Sequence, residues 1–262
     1  MISRSSPAGS ILVTGAGRGI GRAVAERFLD AGWRVGLFDV DPAAVADVAA
    51  GRPNAVHGAL DVRDEAQWGS ALGRFCPDGT LDVLVNNAGV LASGPFAGID
   101  AGTHRRQVDV NVTGVVLGAL TGHEYLARAQ SGLLLNLCSA SALYGQPTLA
   151  TYGATKAAVK SLTEALDLEW RADGVRVRSL LPLFVDTEMV TRDGAGMAPV
   201  KNLGVHLTPA DVATAAWRVV HERLPLPRSP HRTVGRQTRV LAVASSVSPD
   251  WLNRLVVGRL GS

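Results

Sequence analysis

Short apolar runs, many of them β-branched, alternate along the chain with longer Ala-rich segments whose apolar positions recur at helical period. The runs Ser10–Thr14 (SILVT), Arg34–Asp39 (RVGLFD), Ala55–Ala59, 82–86 (DVLVN), 133–139 (LLLNLCS) and 175–181 (VRVRSLL) read as strands. Segments 20–31 and 43–50 read as helices between the first three. Strands that are apolar nearly throughout bury both faces, which predicts a parallel sheet with helices on each side. The expected fold is therefore α/β, a doubly wound parallel sheet, in one domain spanning residues 1–262. Ligands of such sheets sit at the carboxyl ends of the strands.

Composition narrows the function. Of 262 residues, 47% are apolar and 5% aromatic, which suits helices packed closely on a sheet. The formal charge is only +3 and the arginines are scattered, so no nucleic-acid partner is expected. Cys76 and Cys138 lie far apart, and no two of the six histidines take the spacing that places two ligands on one helix face, so no metal is expected. The first ten residues, MISRSSPAGS, have no apolar leader region, and no window offers the ~18 uninterrupted apolar residues of a membrane span. A cytoplasmic location without membrane association is the expectation.

The first strand ends in TGAGRGIG, residues 14–21, just before a helix. Gly15, Gly19 and Gly21 would let the backbone turn tightly and approach a pyrophosphate, which the free amides and positive dipole of the following helix, opening at Ile20, would stabilise. A tight β-to-α connection without any ligand would use the same glycines. Asp39 closes the second strand, where a carboxylate can accept hydrogen bonds from adenosine ribose hydroxyls and repel a 2′-phosphate. That favours NAD(H). Arg18 argues for NADP(H), because a guanidinium in this turn can pair with a 2′-phosphate.

Tyr152 and Lys156 stand four apart, on one face of an expected helix. A lysine ammonium at ~4 Å contributes up to ~4 kcal/mol at an effective dielectric of 20, so Lys156 is expected to draw the phenol's pKa of about 10 toward neutrality, with desolvation opposing.

With these residues in view, the chain resembles the short-chain dehydrogenase/reductase family, in its single-domain, Rossmann-like form with a Tyr-x-x-x-Lys site. The resemblance implies that Ser139 holds the substrate oxygen, that Tyr152 is the general acid/base, and that Lys156 also holds the nicotinamide ribose. Asn111 is implied as the anchor of a water in a proton relay. Asp61 and Val62 resemble the adenine-contacting pair, and Asn86 to Gly89 the segment that supports the sheet (Asn86) and lies beside the adenosine ribose (Asn87, Ala88, Gly89). The run from Pro182 is similar to the family's Pro-Gly-x-Val-x-Thr, with Val185 and Thr187 implied at the carboxamide and phosphates. Leu183 stands where that pattern has glycine, and is expected to reshape the pocket or to point away from it.

The implied activity is hydride transfer between NAD(H) and a secondary alcohol or ketone. The alternative is a catalytically silent dinucleotide sensor of the same fold. Leu143, Tyr144, Leu183 and Phe184 suggest a hydrophobic substrate. A substrate lid is expected at about 190–205, a helix opens at Thr208, and an apolar and basic helical tail covers 250–260. The family resemblance implies a homotetramer or homodimer.

Overall fold

The computed structural model describes residues 8–193, 204–222 and 229–249, with Trp251 and Gly258. The core of the expected lid and nearly all of the expected tail lie outside the described residues. Among the described residues, seven strands form one sheet: β1 (Ser10–Thr14), β2 (Arg34–Asp39), β3 (Ala55–Ala59), β4 (Val83–Asn86), β5 (Leu133–Leu137), β6 (Arg176–Pro182) and β7 (His231–Val234). Their order is β3-β2-β1-β4-β5-β6-β7, and every neighbouring pair is parallel. The chain crosses over between β1 and β4, the switch point where doubly wound sheets bind ligands.

The helices are α1 (Gly19–Asp30), α2 (Pro42–Ala49), α3 (Glu65–Phe75), α4 (Ala101–Val108), α5 (Gly114–Ala127), α6 (Ala150–Glu169), α7 (Glu188–Asp193), α8 (Pro209–Val220) and α9 (Arg236–Val247). Alternation along the strands divides the core in two. Ile11 and Val13 of β1 join Val24 and Phe28 of α1, Val45 of α2 and Val212 of α8 on one face. Leu12 joins Trp68 and Leu72 of α3 and Leu126 of α5 on the other. Each such large apolar side chain, fully buried, contributes ~1.5–3 kcal/mol relative to exposure. A buried polar chain crosses the second layer: Asn86 Nδ2 donates to Asn136 Oδ1 (3.1 Å), and Asn136 Nδ2 donates to Thr163 Oγ1 of α6 (3.0 Å).

Several helices start on side-chain caps. Asp41, Asp64 and Asp100 accept backbone N–H groups at the starts of α2, α3 and α4, and Thr208 with Asp211 forms a reciprocal capping box on α8. Such a cap is worth ~1 kcal/mol. Helix α1 has none: its N-cap is Arg18, with no side-chain cap and no acidic residue in the first turn. Its N–H groups face the switch point.

Candidate active site

The carboxyl ends of β1, β2, β4, β5 and β6 open into one cleft of about 350 Å³. Gly15 and Gly19 line it, with φ of +63° and +54°, in the left-handed region that favours glycine. Gly21 does not line it. A Cβ there would sit 2.1 Å from Gly15 O, so Gly21 lets α1 close against the turn from behind. Asn87 ties the ends of β1 and β4 together, its Nδ2 donating to Thr14 O (2.8 Å) and Gly15 O (3.1 Å). Thr14 Oγ1 accepts from the Asn87 and Ala88 N–H groups at 3.0 and 3.1 Å. Ile20, Ala88 and Gly89 complete this wall. Left-handed glycines, an uncapped helix end and a long cleft across the switch point fit a dinucleotide pyrophosphate.

Farther along, Asp39 lines the cleft although only 8% exposed. Its two carboxylate oxygens accept separate backbone hydrogen bonds, Oδ2 from Gly17 N (3.0 Å) and Oδ1 from Asp41 N (3.1 Å). Those bonds orient the carboxylate while leaving lone pairs toward the cleft. Arg18 forms ion pairs with Asp41 and with Glu188, both at 3.2 Å, so its guanidinium is already partnered. Asp61 is gripped by Arg63 at 2.6 Å, which holds its carboxyl below the usual range. Val62 is buried against Trp68, whose indole N–H donates to Val62 O (3.0 Å).

The opposite end of the cleft gathers the groups expected to do chemistry. Ser139, at the end of β5, and Tyr152 and Lys156, one turn apart on α6, all line it. Lys156 Nζ donates to Leu137 O at 2.8 Å and lies 5.7 Å from the Tyr152 ring centroid. Here the pKa expectation is corrected: the Tyr152 phenol is pushed up, to about 12, by burial, with a hydrogen bond from Ser139 opposing. Burial likewise pushes the Lys156 ammonium below its ordinary value. In each case loss of contact with water, which disfavours the charged form, is the largest cause.

Asn111 lies in a π-helical turn, Asp109–Thr113, that joins α4 to α5, a form often found at functional sites. It is fully buried, with Nδ2 donating to Val90 O (2.9 Å) and Thr155 Oγ1 (3.2 Å), and Oδ1 accepting from Val90 N (2.8 Å). A Cβ on Gly89 would stand 3.3 Å from Asn111 Oδ1 and 3.8 Å from Lys156 Nζ, so the two side chains flank that glycine. Pro182, Val185 and Thr187 line the last wall. Thr187 meets the glycine turn, 3.5 Å from where a Gly19 Cβ would be. Leu183 packs with Leu149, Phe184, Leu91 and Tyr152. It does not take a positive φ, so this position makes no demand for glycine's conformational freedom.

The sequence profile of the short chain dehydrogenase family matches residues 10–198. The chain belongs to that family. Among its relatives is the cis-4-hydroxycyclohexanecarboxylate dehydrogenase of Sinomonas cyclohexanicum, 34% identical over 78% of this chain and 86% of that protein. The meso-2,3-butanediol dehydrogenase of Serratia marcescens is 38% identical over 68% of this chain and 72% of its own length. In three dimensions it is similar to the 3-ketoacyl-(acyl-carrier-protein) reductase of Brucella melitensis complexed with NADH, with a TM-score of 0.80, 30% identity and coverage of 88% and 98%. This short chain dehydrogenase is thus an oxidoreductase, with alcohol and polyol dehydrogenases among its relatives.

Sequence reasoning missed the groups that hold this family's site in shape. Leu137 O anchors Lys156, and Gln107 Oε1 accepts from Ala92 N (3.1 Å), extending the clasp that Asn111 makes on Val90. The one available signal for Gln107 was its spacing, four residues before Asn111 and so on the same helical face. Arg63, Arg106 and Val40 also line the cleft without any sequence pattern that singles them out.

Proposed function

We propose that this short chain dehydrogenase is an NAD(H)-dependent alcohol dehydrogenase/ketoreductase acting on a secondary alcohol or ketone with apolar substituents. The carrying observation is that Ser139, Tyr152 and Lys156 line the same cleft as the glycine turn and Asp39. Gly15, Gly19 and the open end of α1 would hold the pyrophosphate, with Thr187 beside it. Asp39 would take the adenosine ribose hydroxyls, Asp61 and Val62 the adenine, Asn87 to Gly89 the same ribose from the other side, and Lys156 the nicotinamide ribose. Val185 would face the carboxamide.

The bound nicotinamide supplies or accepts the hydride at the substrate carbon. At neutral pH a phenol held near pKa 12 is protonated, the form that donates to a carbonyl oxygen during reduction. Ser139 hydrogen-bonds that oxygen as charge develops on it. In alcohol oxidation Tyr152 takes the hydroxyl proton, a direction favoured as pH rises. The preference for NAD(H) rests on Asp39 and on Arg18, whose pairing with Asp41 and Glu188 leaves its guanidinium committed elsewhere than to a 2′-phosphate.

The test is reduction of a panel of aliphatic, cyclic and aromatic ketones, followed by nicotinamide absorbance with NADH and NADPH. Tyr152→Phe is expected to keep NADH affinity within a few-fold while lowering turnover by ~10²–10⁴, the usual worth of a general acid. Undiminished turnover would overturn the mechanism, and a wild-type preference for NADPH would overturn the cofactor assignment.

A further inference from the structure

Behind Ser139 runs a chain of hydrogen bonds that the reaction as derived above does not use. Ser139 Oγ bonds Ser141 Oγ at 3.2 Å, Ser141 Oγ bonds Gln146 Oε1 at 3.0 Å, and Gln146 Nε2 donates to Tyr144 Oη at 3.2 Å. The Ser141 N–H also donates to Ser139 Oγ at 3.2 Å. Ser139, Ser141 and Gln146 are 7%, 6% and 5% exposed, so water is a poor substitute for any of these partners. The chain begins at the hydroxyl that lines the cleft together with Tyr152 and ends at a phenol held back from solvent.

Hydroxyls can donate or accept, so the serines and Tyr144 impose no direction of their own. Gln146 does, because one end of its amide only accepts and the other only donates. With Oε1 toward Ser141, each serine hydrogen points inward: Ser139 donates to Ser141 and Ser141 donates to Gln146. The Ser139 hydrogen is then turned away from the cleft. Half a turn of the amide exchanges its two ends within nearly the same volume and reverses every bond between side chains, while the Ser141 N–H continues to donate to Ser139 Oγ. Nε2 would donate to Ser141, Ser141 to Ser139, and Tyr144 to Oε1, leaving the Ser139 hydrogen free for the reacting oxygen.

We propose that Gln146 is a positioning residue that acts through Ser141 to set the direction of the Ser139 hydroxyl, turning its hydrogen toward the reacting oxygen during carbonyl reduction. This rests on Ser139 serving the reaction proposed above. It adds that the serine's donor role is imposed from outside the cleft, by an amide that touches neither substrate nor cofactor. No atom is transferred along the chain; only the direction of its hydrogen bonds changes.

The experiment reads Tyr152 directly, so it does not depend on finding a substrate. The full chain, carrying tyrosine labelled with ¹³C at Cζ, is followed by NMR alone and saturated with NADH, and Tyr152→Phe assigns the Tyr152 resonance. Gln146→Leu, which can neither donate nor accept, is expected to move that resonance in the same direction as Ser139→Ala does. In a Ser139→Ala background it should move it no further. Thermal melting and NADH affinity report whether the fold is kept. Should Gln146→Leu fail to fold, Tyr144→Phe cuts the chain at its far end, with the same expected direction and a smaller shift.

A Tyr152 resonance indifferent to the variant that folds, or shifted equally with and without Ser139, would overturn the proposal. With any ketone that the wild type reduces, Gln146→Leu should lower kcat about tenfold and leave the KM for NADH within twofold, whereas loss through KM alone would also overturn it. Failure of the proposed function would appear separately, as no reduction of any ketone by the wild type.

Discussion

At the scale of single residues, Thr148 is the outlier. It is the one described non-glycine residue with positive φ, at 65°, and its Oγ1 is buried without a hydrogen-bond partner. A β-branched side chain in the left-handed region costs ~1–2 kcal/mol, and an unsatisfied hydroxyl adds to that. The peptide is held there because Thr148 O accepts from Gly94 N at 2.9 Å, joining the segment before α6 to the loop after β4. Thr148→Gly keeps that backbone bond and removes both costs. It should raise stability by ~1 kcal/mol after glycine's own entropy is counted, seen as a higher denaturation midpoint. An unchanged or lower midpoint would contradict this account. Thr148 carried no warning in the sequence, since nothing in Gln-Pro-Thr-Leu announces a left-handed residue.

At the scale of elements, two glycines show how the same residue type serves opposite ends. In α3, Gly69 is exposed and an added Cβ meets nothing within 4 Å, so Gly69→Ala should stabilise the helix by ~0.5–1 kcal/mol. In α1, Gly21→Ala would place a Cβ 2.1 Å from Gly15 O and 2.4 Å from Asn87 Nδ2, neither of which can withdraw without opening the turn. That change should cost ~1–3 kcal/mol and abolish dinucleotide binding. Urea denaturation and NADH titration of the two variants check both signs. The glycine turn was legible from its place between an apolar strand and a helical period. Strand β7, read HRTV, was not, because a short polar edge strand has neither alternation nor an apolar run.

The whole molecule carries a pH dependence set by burial. Cys76, between α3 and the second core layer, is pushed from its ordinary 9.0 to about 12 by desolvation, and Tyr152 from 10.0 to about 12. In the unfolded chain these groups ionise first, so the unfolded state binds fewer protons than the folded one above pH 9. The stability that these two groups contribute is therefore whole below about pH 9 and falls as pH rises toward 12, with Cys138 acting in the same direction and Lys156, pushed down by burial, opposing it up to its ordinary 10.5. Chemical denaturation across that range should show the midpoint declining. Cys76→Ala should make the decline shallower, at the lower baseline stability that loss of a buried thiol brings, while Cys138, whose thiol is also pushed up by burial, keeps its own share. A decline identical in the two proteins would refute the assignment to Cys76.

The order of strand and helix, the parallel sheet and the glycine turn after β1 followed from the sequence alone, because burial on two faces and a tight strand-to-helix connection each demand particular residues at particular spacings. Asp39, Tyr152 and Lys156 could be singled out by their chemistry and spacing, and Ser139 by the resemblance to the family. Tertiary structure alone decided what surrounds them. It placed Tyr152 and Lys156 where desolvation disfavours the charged form of each, committed Arg18 to two carboxylates, and ran Ser139 back to Gln146 through Ser141. Dielectric environment and hydrogen-bond partners come from chain segments distant in sequence, and only their packing fixes a charge or the direction of a hydroxyl.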